Sequence, residues 1–592
     1  MTEHTFRTAY GRPALDRLAR EVGAAKSADP MAPVTVVTPT NIAGIVARRH
    51  LAQQGPGISG LKITTLPRLA QDLAAHTLHP RRPATTALLA AAWRTALAQP
   101  GLFADVADHP ATIRALVSAH HELRDLSPAA LAEVSRSTAL AGEVVRLHRE
   151  VTATLAPRWY DTTDLLRAAT ELLTGAAAPA RHGLGTVMLY LPQQLGRVET
   201  EFARALGADQ GPPMVVIAGF TGVRRADRAV HETLERLGRA PSGPPPRPPV
   251  AARVRHASDS DDEVRSVVRE VVDTLTTTPA HRVAVLYTAA RPYARLVHDH
   301  LTRAGITVNG PATRAVHERA IARGVLALLE LPGRDFPRAA TFRALAEAPV
   351  RGLGGRAVPV ARWERVSRLA GVAGGTDWDQ RLTRYAARQE RLALELENAE
   401  DPRPGQIERA HREAQAAREL HEFIAGLREL LLRGAGLRSW GELSEWALDL
   451  FHRLYGPPAE LTRLPTEEQY AATVVEATLG GLALLGEVEP AADLHQLMEV
   501  LDLALESALP RVGRFGEGVF VGPVSAAVGM DLDTVFVVGL SEDLFPGRSH
   551  EDALLDRRAR AATDELRAPR DRLDDKHRHL LAAFAAAGTA VA

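Results

Sequence analysis

Cysteine is absent from all 592 residues. This excludes disulfides, thiolate nucleophiles, iron–sulfur ligation and cysteine–zinc sites, so any metal would need histidine and carboxylate ligands. Lysine is nearly as scarce, occurring only at Lys26, Lys62 and Lys576. Net charge is missing too. The 71 Lys+Arg and 71 Asp+Glu residues cancel, which removes a global attraction to nucleic acid but leaves room for a local basic groove. No segment approaches the roughly 18 uninterrupted apolar residues of a membrane span. MTEHTFRTAY carries no apolar signal core, so no membrane contact is expected and the cytoplasm is the expected compartment.

What is present is ordinary for a globular chain: 45% hydrophobic and 24% charged residues. The length is too great for one core and predicts roughly three to five structural units. VTVVT (34–38) and LKITTL (61–66) read as short buried strands flanking the helix TNIAGIVARRHLAQQG. From 84 to 183 the text turns helical, as in ALLAAAWRTALAQ and LAGEVVRLHREVTATLA; strands return at TVMLYL (186–191) and MVVIAGF (214–220). The proline-rich APSGPPPRPPVAAR (240–253) can continue neither a helix nor a central strand and reads as a linker. Beyond it, DDEVRSVVREVVDTL puts Val264, Val267, Val268, Val271, Val272 and Leu275 on one helical face, before the strands RVAVLY and ITV. After another long helical stretch, GVFVGPV and DTVFVVGL restore strand texture. The expected fold class is α/β, with two parallel-sheet cores each split by a helical insertion. The expected boundaries are 1–83 and 184–239 for the first core with insertion 84–183, linker 240–253, and 254–350 and 511–592 for the second core with insertion 351–510.

This order resembles the four-subdomain layout of UvrD-type superfamily 1 helicases, whose two cores are RecA-like. TPTNIAGIVARR (38–49) resembles the single-strand-contacting motif Ia of that family, and ITTLPRL (63–69) the segment that follows it. VLYTAARPYARLVHDHLTRAGITV is similar to motif IV, and PVSAAVGMDLDTVFVVGLSEDLFP to motif V with its continuation. GRPALDRLAREV, LPRLAQDL, WYDTTDLLRAA and EDALLDRRAR resemble the B subunit of AddAB (RexAB) type helicase–nucleases, across essentially the whole chain.

The motor residues of that family are a different matter. A phosphate loop needs GxxxxGK[ST]. Only Lys26-Ser27 offers its last pair, with Ala25 and Arg20 where glycines belong, so Lys26 reads as a solvated helix end. Leu191-Pro192 stands where an Asp-Glu pair would serve Mg²⁺ and water, Thr288 near the motif IV arginine, Ser525 and Val528 at the motif V His and Lys. Arg578 lies near the first motif VI arginine and Ala586 near the transition-state one. ATP, Mg²⁺ and an iron–sulfur cluster occur in the resembled family, but no cofactor is expected here because their ligands are missing. The PD-(D/E)XK nuclease domain of the resembled subunit is likewise expected to be absent.

Other clusters carry bland readings. Asp574-Asp575-Lys576 has a (D/E)xK form but sits in charged text and reads as a solvated helix start. Asp259, Asp261, Asp262 and Glu263 suit a helix first turn. His120-His121 and His298/His300 lack a second ligand at metal spacing.

The resemblance implies that Thr38, Thr40, Asn41 and Thr65 meet single-stranded DNA by hydrogen bonds and that Arg48, Arg49 and Arg68 meet phosphates, although Pro39 and Ile42 replace the family's Phe and Lys. The expected function is a non-motor, helicase-like subunit that guides single-stranded or end-containing DNA during double-strand-break processing. It would be paired as a heterodimer with a separate superfamily 1 motor helicase/nuclease subunit. The alternative is a protein–protein scaffold, derived from a decayed or truncated subunit, without DNA binding.

Overall fold

The computed structural model describes residues 4–54, 57–107, 109–175, 183–207, 214–352, 355, 357–507, 511–548 and 551–592. Two compact units emerge. One comprises 1–84, 99–313 and 511–592, the other 85–98 and 314–510.

The first unit holds two parallel sheets. In the first sheet, β1 (Thr5–Ala9), β2 (Val34–Val37), β3 (Leu61–Thr64), β6 (Thr186–Tyr190) and β7 (Val215–Phe220) lie in the order β1-β7-β6-β2-β3. Thr5 pairs with Val216, Met188 with Val215, and Val34 with both Thr186 and Leu61. All residues of β2 and β7 are buried, as expected of strands covered on both faces. Helices α1 (Arg12–Ala25) and α2 (Asn41–Gln53) cover one face with Leu15, Leu18, Ala47 and Leu51. The opposite face is covered by α3 (Leu66–Ala74) and the helices Thr162–Thr174, Arg197–Leu206 and Arg228–Arg236, through Leu69, Leu166, Phe202 and Leu234.

The second sheet runs β10 (Arg511–Val512), β9 (Val308–Pro311), β11 (Val519–Pro523), β8 (Val283–Tyr287), β12 (Leu532–Val538), β13 (Ala587–Val591). Only the edge strand β10 is antiparallel. Val264, Val297 and Leu301 from the helices Ser260–Thr274 and Ala290–Arg303 pack on one face. The helix Pro569–Ala585 covers the other with Ala583, against Phe520, Val535 and Val537. β4 (Arg82–Pro83) and β5 (Trp159–Tyr160) form a separate two-stranded pair.

The proline-rich segment 240–253 holds an edge of each sheet. Arg7 donates its amide to Ser242 O (2.9 Å) beside β1, and Ala252 donates to Ala590 O (2.7 Å) beside β13. Edge strands present unpaired backbone groups, and this segment satisfies some of them.

The second unit is helical. Its longest elements, Asp377–Glu397 and Pro404–Ala435, form a hairpin, with Trp378, Leu420, Leu427 and Leu431 buried. Trp440 and Phe451 from the helix Trp440–Tyr455 are buried too. Gly434 is required beneath Trp446, because an added Cβ would come within 2.1 Å of its indole. Helix α4 (Thr86–Leu97), which the sequence places in the 84–183 insertion, belongs to this unit. Arg94 forks onto Glu489 at 2.9 and 2.6 Å, and Trp440 Nε1 donates to the same carboxylate (3.1 Å).

Among the described residues, no helix is long and apolar enough to cross a membrane.

Candidate functional site

Parallel α/β sheets bind ligands beyond the carboxyl ends of their strands, often on a glycine-rich turn that opens a helix. In the first sheet that turn, between β1 and α1, is only Tyr10-Gly11. Gly11 has φ +76°, and a Cβ there would lie 2.6 Å from Ala585 O. Tyr10 is fully buried, and Tyr190, Leu191, Val528 and Ala582 join it in one apolar cluster. Gly219 makes room for this packing: a side chain there would meet Tyr10 Cε1 at 2.6 Å and Leu191 Cδ2 at 2.7 Å. Leu191 itself has φ +48°, a left-handed backbone unusual for leucine, with its amide donating to Ile217 O (2.8 Å). Burial raises the pKa values of Tyr10 and Tyr190. Arg578 is 2% exposed, with Nη2 2.9 Å from Asp575 Oδ1.

Next to this packed turn, the ends of β2, β3 and β6 open into a cavity of about 470 Å³. Thr38, Thr40 and Thr65 line it together with Gln193, Ser525 and His579. Thr40 is the N-cap of α2 and accepts from Ala43 N (3.1 Å). Thr65 occupies the corresponding place on α3, and its side chain makes no cap hydrogen bond. Two helix N-termini with their partial positive charge therefore border the cavity. Thr38 is 3% exposed, and its hydroxyl has Thr64 O at 3.2 Å and Thr40 O at 3.1 Å as acceptors, so its hydrogen-bonding is committed internally. Gln193 donates Nε2 to Leu191 O (3.0 Å), and the side-chain oxygens of Gln193 and Gln194 are buried without a protein donor. Burial and the neighbouring Arg578 push the His579 pKa down to about 4, which keeps its ring neutral at pH 7.

The structure thus gathers three of the seven residues expected to meet DNA and disperses the rest. Asn41, exposed at the first turn of α2, is outside the cavity lining, and Arg48 and Arg68 are exposed on α2 and α3. Arg49 turns elsewhere, donating Nη2 to Phe515 O (2.8 Å). Gln193, Gln194 and His579 escaped the sequence reasoning. The Gln pair follows the TVMLYLP strand end and could have been found there; His579 could not, because its helix reaches the cavity only through tertiary packing. No protein-family model matches the chain, and no curated protein matches it.

Two expectations require correction. Lys26 is not a freely solvated helix end: its ammonium donates to Ala32 O and Ser59 O, both at 2.6 Å, bracing the loop after α1. Asp574 is not at a solvated helix start. It is 5% exposed inside the helix Pro569–Ala585 and binds Arg225 (2.5 Å) and Arg228 (2.8 Å). Lys576 donates to Pro546 O (2.7 Å). Asp259 caps its helix through the amides of Asp261 and Asp262 (both 2.9 Å). His300 bonds Asp261 (2.9 Å), and His120 is buried against His148, with Nδ1 atoms 3.0 Å apart. Among the described residues, no group of three or more His, Asp or Glu side chains is placed to hold a metal ion.

Proposed function

We propose that the chain is a non-motor, helicase-like subunit that guides DNA while a separate superfamily 1 motor subunit supplies translocation in double-strand-break end processing. In this reading the two sheets are RecA-like cores, each interrupted by a helical insertion. The observation that carries it is the pairing of a closed β1–α1 turn with an open cavity beside it. The turn that would wrap a triphosphate is two residues long, holds no lysine and is filled by Tyr10, Tyr190 and Leu191; these residues do not fit such a group. The adjoining cavity keeps hydroxyls and helix N-termini at the strand ends, chemistry suited to positioning a backbone without reading sequence.

The test is binding of the purified chain to a single-stranded oligonucleotide across a salt series. Saturable binding that weakens with salt supports the proposal, and undetectable affinity at low salt removes it. DNA-stimulated ATP hydrolysis abolished by Lys26→Ala would also overturn it. A scaffold role is favoured by a different observation: Leu392 and Leu394, near the end of the helix Asp377–Glu397, are 41% and 55% exposed. That reading predicts capture of a partner protein with no dependence on DNA.

A further inference from the structure

A second cavity, of about 510 Å³, lies towards the other end of α2 and shares no lining residue with the first. From Thr40 to Arg49 the helix advances about 14 Å at 1.5 Å per residue. The volume falls within the usual range for small-molecule clefts. Three kinds of chemistry meet on its walls: the guanidinium groups of Arg12 and Arg49, the carboxylates of Asp531 and Asp533, and the ring of Phe515.

Each of these groups is held in place. His50 is 3% exposed, and its Nδ1 lies 3.1 Å from Arg12 Nη1. A guanidinium can only donate, so Nδ1 accepts and the ring proton sits on Nε2, 3.2 Å from Asp16 Oδ1. Arg12 also reaches Asp531 Oδ2 at 3.5 Å while its side chain stays 51% exposed. Arg282 binds Asp531 (2.9 Å) and Asp533 (2.7 Å), bracing both carboxylates. Arg49 lies 5.3 Å from the Phe515 ring centroid and bonds that residue's carbonyl. Gly516, with φ +89°, permits this fit, because a Cβ there would come within 1.8 Å of Arg49 Nη1. Three arginines against two aspartates leave one positive charge in excess among the lining side chains.

We propose that this cavity binds a nucleoside monophosphate unit. Its phosphate meets Arg12 and Arg49, the planar base rests on Phe515 and Met530, and in a free nucleotide the 3′-hydroxyl donates to Asp533. An inorganic anion would use only the arginines, whereas this ligand uses the aromatic wall as well, and in its free form the carboxylate too. The unit can be a free nucleotide or the 5′-terminal nucleotide of a strand, since the phosphomonoester is common to both. This site goes beyond the DNA-guiding reading, and its free-nucleotide form stands whether or not the first cavity meets DNA.

Calorimetric titration of the full chain with dAMP, deoxyadenosine, and 5′-phosphorylated and 5′-hydroxyl oligonucleotides tests the proposal. Saturable dAMP binding about tenfold or more tighter than deoxyadenosine is expected, since hydrogen bonds to charged groups are the stronger kind. Arg49→Gln should remove that advantage, and Arg49→Lys should restore part of it by keeping charge without the planar fork. Arg295→Gln, altering a side chain 65% exposed on the helix Ala290–Arg303, should change nothing. A preference for the 5′-phosphorylated oligonucleotide that Arg49→Gln abolishes assigns the site to strand ends; dAMP binding without that preference assigns it to free nucleotides. If Arg49→Gln fails to fold, Phe515→Leu gives the second readout, a loss of dAMP affinity through the base. Absence of saturable binding by both dAMP and the 5′-phosphorylated oligonucleotide at millimolar concentration overturns the proposal, as does binding unaltered in these variants.

Discussion

Gly529 lies directly against Ala43. Gly529 has φ +83° in the loop before β12, and an added Cβ would come within 2.5 Å of the Ala43 Cβ near the start of α2. The neighbouring Val528 is counted in the apolar core of the first sheet although it precedes a strand of the second. The two sheets of this unit therefore meet through a position only glycine can fill. Gly529→Ala should destabilise the unit by about 2–4 kcal/mol, combining left-handed strain with overpacking. A denaturant titration reads the loss as a lower midpoint; a midpoint equal to the parent chain's would show that the contact can relax.

Arg124 is held by two carboxylates at once. It forks onto Asp161 (2.6 and 3.1 Å) and reaches Asp164 (2.6 Å), while Asp161 also caps the helix Thr162–Thr174. Asp161→Ala leaves the buried guanidinium half-paired and removes the cap, and should cost about 3 kcal/mol or more. Asp161→Asn retains the cap and should cost less. Thermal melts of the two variants rank them, and equal losses would contradict the division of roles.

His120 and His148 should contribute strongly to acid sensitivity. Burial is the main cause that pushes their pKa values down, to about 2 for His120 and about 4 for His148, with Arg124 adding to both, His148 and His121 acting on His120, and Arg149 acting on His148; Asp161 opposes the shift in each. In the unfolded chain they titrate near the ordinary 6.5, so below that pH the unfolded state binds more protons than the folded one. Stability is thus full above pH 6.5 and falls as pH drops towards 4, by up to about 1.4 kcal/mol per unit for each such group. His148→Gln should flatten the decline between pH 6.5 and 5. Denaturant midpoints against pH measure it, and an unchanged slope would show that other groups govern acid unfolding.

The exposed arginines should contribute salt dependence and little else. Arg48 and Arg68 are exposed on α2 and α3. If both meet phosphates, each Ala substitution should lower the slope of log affinity against log salt by about 0.7 for a single strand. Thr40→Ala should instead act on the fold, costing about 1 kcal/mol for a lost N-cap. A slope indifferent to both arginines would place the DNA path elsewhere.

The strands most legible in the sequence are those rich in apolar residues. VTVVT, TVMLYL and MVVIAGF announce buried parallel strands because helices cover both their faces. TFRTA and AGTAV carry no such run and passed unrecognised, yet they are β1 and β13. Pairing with β7 and β12 recruits them, and that information resides in their partners. The three cavity threonines were legible as hydrogen-bonding residues at strand ends. That Thr38 spends its hydroxyl on backbone carbonyls was not, nor that Arg49 abandons its neighbours for Phe515, 466 positions away.

From its text alone the chain excluded cysteine chemistry and showed where many helices and buried strands run, because residue type and periodicity act over a few neighbouring positions. Which loops converge was decided only by the tertiary structure. Tyr10 closes the β1–α1 turn because Gly11 and Gly219 give way to backbone and ring, and His579 enters a cavity whose threonines lie more than five hundred residues earlier. Such meetings depend on close packing between distant segments, which no local pattern of residues encodes.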